Sequence, residues 1–294
     1  MATTTLNLNN PDDDGSKNLF NEIIIEAQYT AQENSIMRPL VNMVPVANAV
    51  GNVVQIPKFG LLDVEGVSSA LVEGEDLAGS DLQTTVHATI TMAERAAMTL
   101  LTDDAVETMP NYNLAGEIGR ILGQQMAVRF DTDAMGKFAD FTGSSNAAFG
   151  ATGAGNDVEL TADLLFKASA ELRSNLAGGN MVAVFHPRAV YNLKKQLANA
   201  GATELGALSN VGNSALSTGL VGSVAGITIF ESTLATVGGV FALDAMGGAM
   251  KRDVRLETER DASKRATEIV GSAVWGFSAV KPENGVKIYT NNAI

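Results

Sequence analysis

The strictest pattern in this chain is an alternation that only a strand can use. From Leu82 to Met92, residues Leu82, Thr84, Val86, Ala88, Ile90 and Met92 fall on one face and Gln83, Thr85, His87, Thr89 and Thr91 on the other. A second β-branched stretch, Val50 to Phe59, precedes it. Between the two runs Gly60 to Asp81, where Glu65, Glu73, Glu75, Asp76 and Asp81 stand among Gly, Ser and Ala. A connection of that length does not suit the inside of a compact domain, so the pattern predicts a two-stranded arm projecting from the body.

The longest regular element is a helix from about Leu114 to Phe141. Leu114, Ile118, Ile121, Leu122, Met126, Phe130 and Phe138 lie mostly on one side of it. At 1.5 Å per residue such a helix is roughly 40 Å long. Gly116, Gly119, Gly123 and Ala127 form a stripe of small residues along it. Each such glycine costs up to about 1 kcal/mol of helix propensity, which suggests close contact with another backbone.

Other segments are less regular. Ala2 to Asp14 holds little to bury and reads as an arm, followed by helical spacing over Leu19 to Glu33 that Pro39 stops. After a Gly/Ser/Asn/Ala loop at Phe141 to Asp157, a second unit reads as α/β. Thr161 can cap a helix carrying Leu164, Leu165, Ala168, Leu172 and Leu176, ended by Gly178 and Gly179. Met181 to Phe185 is a short buried strand, Pro187 opens a helix closed by Gly201, and Val224 to Glu231 is a further strand. Gly238 to Leu256 and Ile269 to Thr290 return to strands, with a hairpin-turn signal at Pro282 to Gly285.

Composition excludes several classes of function. With 46% hydrophobic and 18% charged residues the chain can bury a large core. Its formal charge of -13 offers no basic footprint for phosphate backbones, so sequence-specific nucleic-acid reading is not expected. The absence of cysteine removes disulfides, thiolate metal sites and cysteine nucleophiles. Met1 to Asp14 shows no signal-peptide pattern, and the uncharged stretch Leu205 to Phe230 is too rich in Gly, Ser, Thr and Asn for a membrane span.

Little points to catalysis. The two histidines, His87 and His186, read as a polar-face residue and a strand-to-helix turn residue. Asp131 and Asp133, two apart on the long helix, point about 200° from each other, so Asp133 is better placed to pair with Arg129 one turn back. Asp12, Asp13 and Asp14 lack the ligand spacing of a calcium loop, and Gly153 to Gly155 lacks a Walker or dinucleotide continuation. No catalytic, cofactor-binding or metal-binding residue is expected. A mixed-charge cluster, Lys251 to Glu268, admits two readings, intramolecular surface pairing or a charge network between subunits.

The order of these elements resembles the Hong Kong 97-like major capsid proteins of tailed bacteriophages, over essentially the whole chain. Val50 to Met92 is similar to the family's extended loop, Leu114 to Phe141 to its spine helix, and Thr161 to about Thr233 to its axial domain. The passage Met181-Val-Ala-Val-Phe-His-Pro-Arg-Ala-Val-Tyr-Asn-Leu is similar in style to its axial-domain segments. The resemblance implies an α+β fold divided into an N-terminal arm (1–38), a peripheral domain with the spine helix (39–49 and 93–157), an extended loop (50–92), an α/β axial domain (158–236) and returning peripheral strands (237–294).

The same resemblance implies a non-enzymatic, self-assembling subunit of an icosahedral shell around double-stranded DNA. Its partners would be copies of itself in hexamers and pentamers, a portal, a separate scaffold and a decoration protein, with no membrane. Assembly would take place in the host cytoplasm and the product would be the virion capsid. Expected intersubunit contacts are Lys58, Glu65, Glu73, Glu75, Asp76, Arg252, Arg255, Glu257 and Arg260. An encapsulin-type cargo compartment and, from a different class, a carboxylate-based hydrolase are the alternatives.

Overall fold

A computed structural model describes residues 35–46, 51–58, 86–108, 114–143, 149, 158–202 and 222–291. The expected helical segment Leu19 to Glu33, the acidic stretch Gly60 to Asp81, Asp12 to Asp14 and Gly153 to Gly155 lie outside these residues. Among the described residues no helix is long and apolar enough to cross a membrane.

Among the described residues, eleven strands and four α-helices follow in chain order: β1 (Asn42–Pro45), β2 (Val53–Lys58), β3 (Val86–Thr91), β4 (Ala93–Thr102), α1 (Asp103–Thr108), α2 (Leu114–Met135), α3 (Ala162–Ser174), β5 (Met181–Phe185), α4 (Pro187–Ala202), β6 (Ser223–Val224), β7 (Ile227–Glu231), β8 (Gly238–Ala242), β9 (Met246–Asp261), β10 (Ala266–Ala279) and β11 (Gly285–Ile288). They form a four-stranded sheet in the order β1-β9-β10-β4, a five-stranded sheet in the order β11-β8-β5-β7-β6, and the separate pair β2-β3.

The alternation in Leu82 to Met92 reappears as burial. β2 and β3 pair antiparallel, from Val53 opposite Thr91 to Lys58 opposite Val86. Ala88, Ile90 and Met92 are buried while Thr89 and Thr91 are exposed. Ile90 and Met92 pack with Val54, Ile56, Ala249 and Val274, which seats the root of the pair on β9 and β10. Gly276 makes that seat possible. A Cβ there would stand 2.3 Å from the Thr91 carbonyl oxygen, a distance no side chain tolerates.

The long helix forms as α2 to Met135 and then tightens into a 3-10 turn, Gly136–Asp140. Its inward residues serve both sheets. Phe130 stands edge-on to Trp275 (5.5 Å) and Phe277 (4.8 Å) of β10. Phe138 and Phe141, both fully buried, pack with Phe241 of β8 in the five-stranded sheet. β5 alternates between two cores. Val182 and Val184 face these aromatic rings, while Met181, Ala183 and Phe185 face α3 and α4 through Leu165, Leu172, Val190 and Leu193.

Local signals in the second unit hold with small shifts. Thr161 Oγ1 accepts from the Leu164 amide at 3.2 Å and caps α3 as expected. The helix stops at Ser174, where Leu176 takes a left-handed conformation (φ 57°) before the glycines are reached. α4 runs through Gly201 to Ala202. Val224 to Glu231 divides into β6 and β7, with Ala225 and Gly226 both at positive φ in the turn between them.

Two expectations are corrected. Pro282 to Gly285 is not a hairpin turn, since Pro282–Asn284 is a 3-10 turn that carries the chain from β10 in one sheet to β11 in the other. The crossing is held by the Thr142 amide donating to Pro282 O (2.9 Å) and the Gly143 amide to Gly285 O (2.8 Å). The true hairpin lies earlier, where β9 and β10 pair from Met246 and Ala279 to Asp261 and Ala266. β4 was not expected as a strand; it pairs along its whole length with β10.

Two aspartates on α2 anchor distant chain. Asp131 accepts from Ser35 Oγ (2.6 Å) and from the amides of Ile36 (2.9 Å) and Met37 (3.1 Å), which fixes the segment entering β1. Asp133 accepts from Arg95 Nε (2.9 Å) on β4 and Trp275 Nε1 (3.2 Å) on β10, and pairs with Arg129 (3.0 Å) as expected. Burial pushes the Asp131 carboxyl above its ordinary value of 3.8, against the three hydrogen bonds that favour its ionised form. The folded chain therefore holds this proton more tightly than the unfolded chain. The stabilising contribution is complete below the unfolded value and is lost as pH rises through the raised one.

Three variants test these contacts and the Gly276 seat. Asp131→Asn replaces the oxygen that accepts from the Ile36 amide with an NH2 donor and should cost about 1–3 kcal/mol in denaturant unfolding. Its deficit against wild type should be largest in acid and shrink toward neutrality; a deficit that grows with pH would contradict the raised value. Asp133→Ala should shift the emission of Trp275, the single tryptophan, at unchanged helix content. Gly276→Ala should lower stability by about 1–3 kcal/mol through overpacking against Thr91.

Candidate assembly interface

Four of the charged residues singled out in the sequence, Arg252, Arg255, Glu257 and Arg260, lie on β9. Arg252 faces across the sheet, where its guanidinium bonds Glu94 of β4 and donates to Ser272 Oγ of β10 at 3.2 Å. Arg255 and Glu257, both largely exposed, pair at 3.1 Å along β9. Arg260 forms a two-pronged pair with Asp103 at the start of α1, at 2.7 and 2.6 Å. Lys58 ends β2, its backbone opposite Val86. Glu65, Glu73, Glu75 and Asp76 lie outside the described residues.

The electrostatics follow these contacts. The Arg260 hydrogen bond holds the Asp103 carboxyl below its ordinary value, and Asp103 in turn raises Arg260. At the β9-β10 turn, Asp261 Oδ1 accepts from Ser263 Oγ (2.6 Å), the Ser263 amide (2.9 Å) and the Lys264 amide (3.3 Å). These bonds, led by the Ser263 hydroxyl, pull Asp261 down to about 2. Lys264 bridges Glu268 (2.7 Å) and Asp261 (3.3 Å) and is raised by both. The charges of the cluster are thus ordered within the subunit, and the turn is stiffened by its own side chains.

Sequence reasoning missed the apolar part of this surface. β4 is the last strand of its sheet and exposes Met98 (57%) and Leu100 (45%) on the side away from α2. On α2, Ile121 (46%) and Val128 (44%), seven residues apart, share an exposed stripe. The run Ala93 to Thr102 carries apolar residues at adjacent positions, so its alternation of burial could not be read from residue types.

Nothing described assembles a reaction centre. Among the described residues no three His, Asp or Glu side chains converge as metal ligands. His186 Nδ1 accepts from the Arg188 amide at 3.2 Å, in keeping with a turn residue. His87 occupies β3 opposite Pro57. Open hollows of ≈ 440 and ≈ 500 Å³ flank the β2-β3 root, the first lined by Arg95, Asp133, Lys137 and Trp275 and the second by Asn52, Glu94, Lys251 and Arg252. They are shallow charged depressions and not the enclosed apolar clefts that hold small substrates.

Comparison with known proteins gives this architecture its context. The phage capsid protein family matches residues 85–288. None of the curated proteins matches the sequence. The capsid structure of the cyanophage P-SCSP1u is 20% identical with a TM-score of 0.65, covering 88% of this chain and 89% of that one. A Mycobacterium phage Che8 structure is also 20% identical, at TM-score 0.63, with 86% and 90% covered. The virus-like particle from Pyrococcus furiosus shares the fold at 12% identity and TM-score 0.58, with 92% and 98% covered. The chain belongs to the phage capsid protein family, as a shell-forming major capsid protein with the Hong Kong 97-like fold.

Proposed function

We propose that this chain tiles, as hexamers and pentamers, the icosahedral shell of a tailed phage and encloses double-stranded DNA without reading its sequence. The observation that carries the reading is the family match over residues 85–288, which spans α2, the five-stranded sheet and three of the four strands of the other large sheet. The subunit's role is structural. Its exposed apolar residues on β4 and α2 are surfaces that neighbouring copies would cover, with apolar burial giving about 25 cal/mol per Å² against the entropy of association.

In this reading residues 1–38 form an arm, 50–92 an extended loop, 39–49 with 93–157 and 237–294 a peripheral domain, and 158–236 an axial domain. Arm and loop reach over neighbours, and Lys58, Glu65, Glu73, Glu75, Asp76, Arg252, Arg255, Glu257 and Arg260 lie at subunit contacts. Assembly takes place in the host cytoplasm with a portal, a separate scaffold and a decoration protein. The net charge of -13 suits a container wall that must release its genome.

The Pyrococcus furiosus particle makes the contents of the shell the discriminating observation. Light scattering of the purified chain, with a crowding agent to promote assembly, should give closed particles, and particles formed beside the other phage components should hold double-stranded DNA. A single copurifying protein cargo would favour the compartment, and a monomer under every condition would remove the shell reading.

A further inference from the structure

Thr89 and Thr91 stand on the exposed side of β3, away from the cluster that buries Ile90 and Met92. With Arg95, Asp133, Lys137 and Ser278 they line an open hollow of ≈ 440 Å³ where β3, β4 and β10 meet the end of α2. The hydroxyls of Thr89, Thr91 and Ser278 have no hydrogen-bond partner among the described residues. Arg95 donates through Nε alone, which leaves its two terminal nitrogens without a partner among those residues.

The one carboxylate in the lining, Asp133, is already shared. Its Oδ2 accepts from Arg95 Nε (2.9 Å) and Trp275 Nε1 (3.2 Å), and its Oδ1 pairs with Arg129 (3.0 Å). Lys137 Nζ lies 3.5 Å from Asp140 Oδ2, longer than a full hydrogen bond. Arg95, Arg129 and Lys137 therefore face two carboxylates, Asp133 and Asp140, and one positive charge is left over. The Arg95 and Lys137 side chains are 36% and 41% exposed, so a ligand in solution can reach both. Gly136 adds no side chain to the lining, and a Cβ there would meet nothing within 4 Å. Two cations beside unpaired hydroxyls are the donors that proteins turn on phosphate oxygens, whereas an apolar ligand would find little here to bury against.

We propose that this hollow binds a phosphate group. The source is the backbone of the enclosed DNA, an assignment that rests on the shell reading, or free phosphate, which does not. The terminal nitrogens of Arg95 and the Lys137 ammonium donate to the phosphate oxygens, and the three hydroxyls complete the cradle. Asp133 holds Arg95 in place through Nε. The net charge of -13 repels DNA from the chain as a whole, so a backbone contact here is local and weakens with salt. Trp275 reports on the site, because the Asp133 oxygen that accepts from its indole also accepts from Arg95.

The full-length chain is titrated with inorganic phosphate and, separately, with a short DNA duplex, while Trp275 emission and the thermal midpoint are followed. A saturable shift is expected: one given by the duplex alone assigns the backbone, and one given by inorganic phosphate assigns the free anion. Lys137→Gln leaves the contacts among Arg95, Asp133 and Trp275 in place. It should raise the half-saturating concentration about fivefold or more and, for the duplex, lower the logarithmic salt slope by about one. Gly136→Glu, which sets a carboxylate beside the hollow, should abolish the shift. If neither readout moves with either probe, or the shift survives both variants unchanged, the proposal is overturned. The shell reading stands apart from that result, because it is lost when the unmodified chain forms no closed particles.

Discussion

The aromatic seam along the spine helix is the contact on which the rest of the molecule depends. Phe130 sits edge-on between Trp275 and Phe277, and a short way on Phe138 and Phe141 close against Phe241. One helix and its 3-10 extension thus supply the core of two sheets that share no strand. Edge-to-face rings add specific geometry to their apolar burial, so the two sheets are held at a fixed angle and not merely in contact. A shell subunit requires this, because small errors in the angle between its parts would accumulate around a closed surface.

Polar contacts then fasten the periphery to that seam. Asp131 and Asp133 lie two residues apart on the helix and so face different ways, one gripping the chain before β1 and the other gripping β4 and β10. The β2-β3 root is held by shape, with Gly276 admitting the Thr91 backbone. Residues 59–85 carry six acidic and no basic residues, while the described residues carry 19 of each sign.

Much of this was legible in the residues. The alternation through Ala88, Ile90 and Met92, the Thr161 cap, the all-apolar β5 and the Arg129–Asp133 spacing are local signals, and each reappears in the structure. The rest depends on partners distant in sequence. Asp131 gives no hint of Ser35, 96 positions away, and β4 has apolar residues facing both ways because one face packs on the spine helix and the other lies open. Pro282 to Gly285 has hairpin chemistry, yet Gly143 and Phe141 reach it from another element and turn it into a crossing between sheets. Among the expected contact residues, Arg252 and Arg260 have partners, Glu94 and Asp103, that only the sheet register brings near.

The central claim is that a body whose two larger sheets are fixed to one helix tiles a closed shell. Electron cryomicroscopy of assembled particles tests it most directly. The account predicts five- and six-fold capsomers in which each subunit keeps the two sheets at the angle set by Phe130 and Phe138. Open aggregates, or subunits whose two sheets have separated along the aromatic seam, would contradict it.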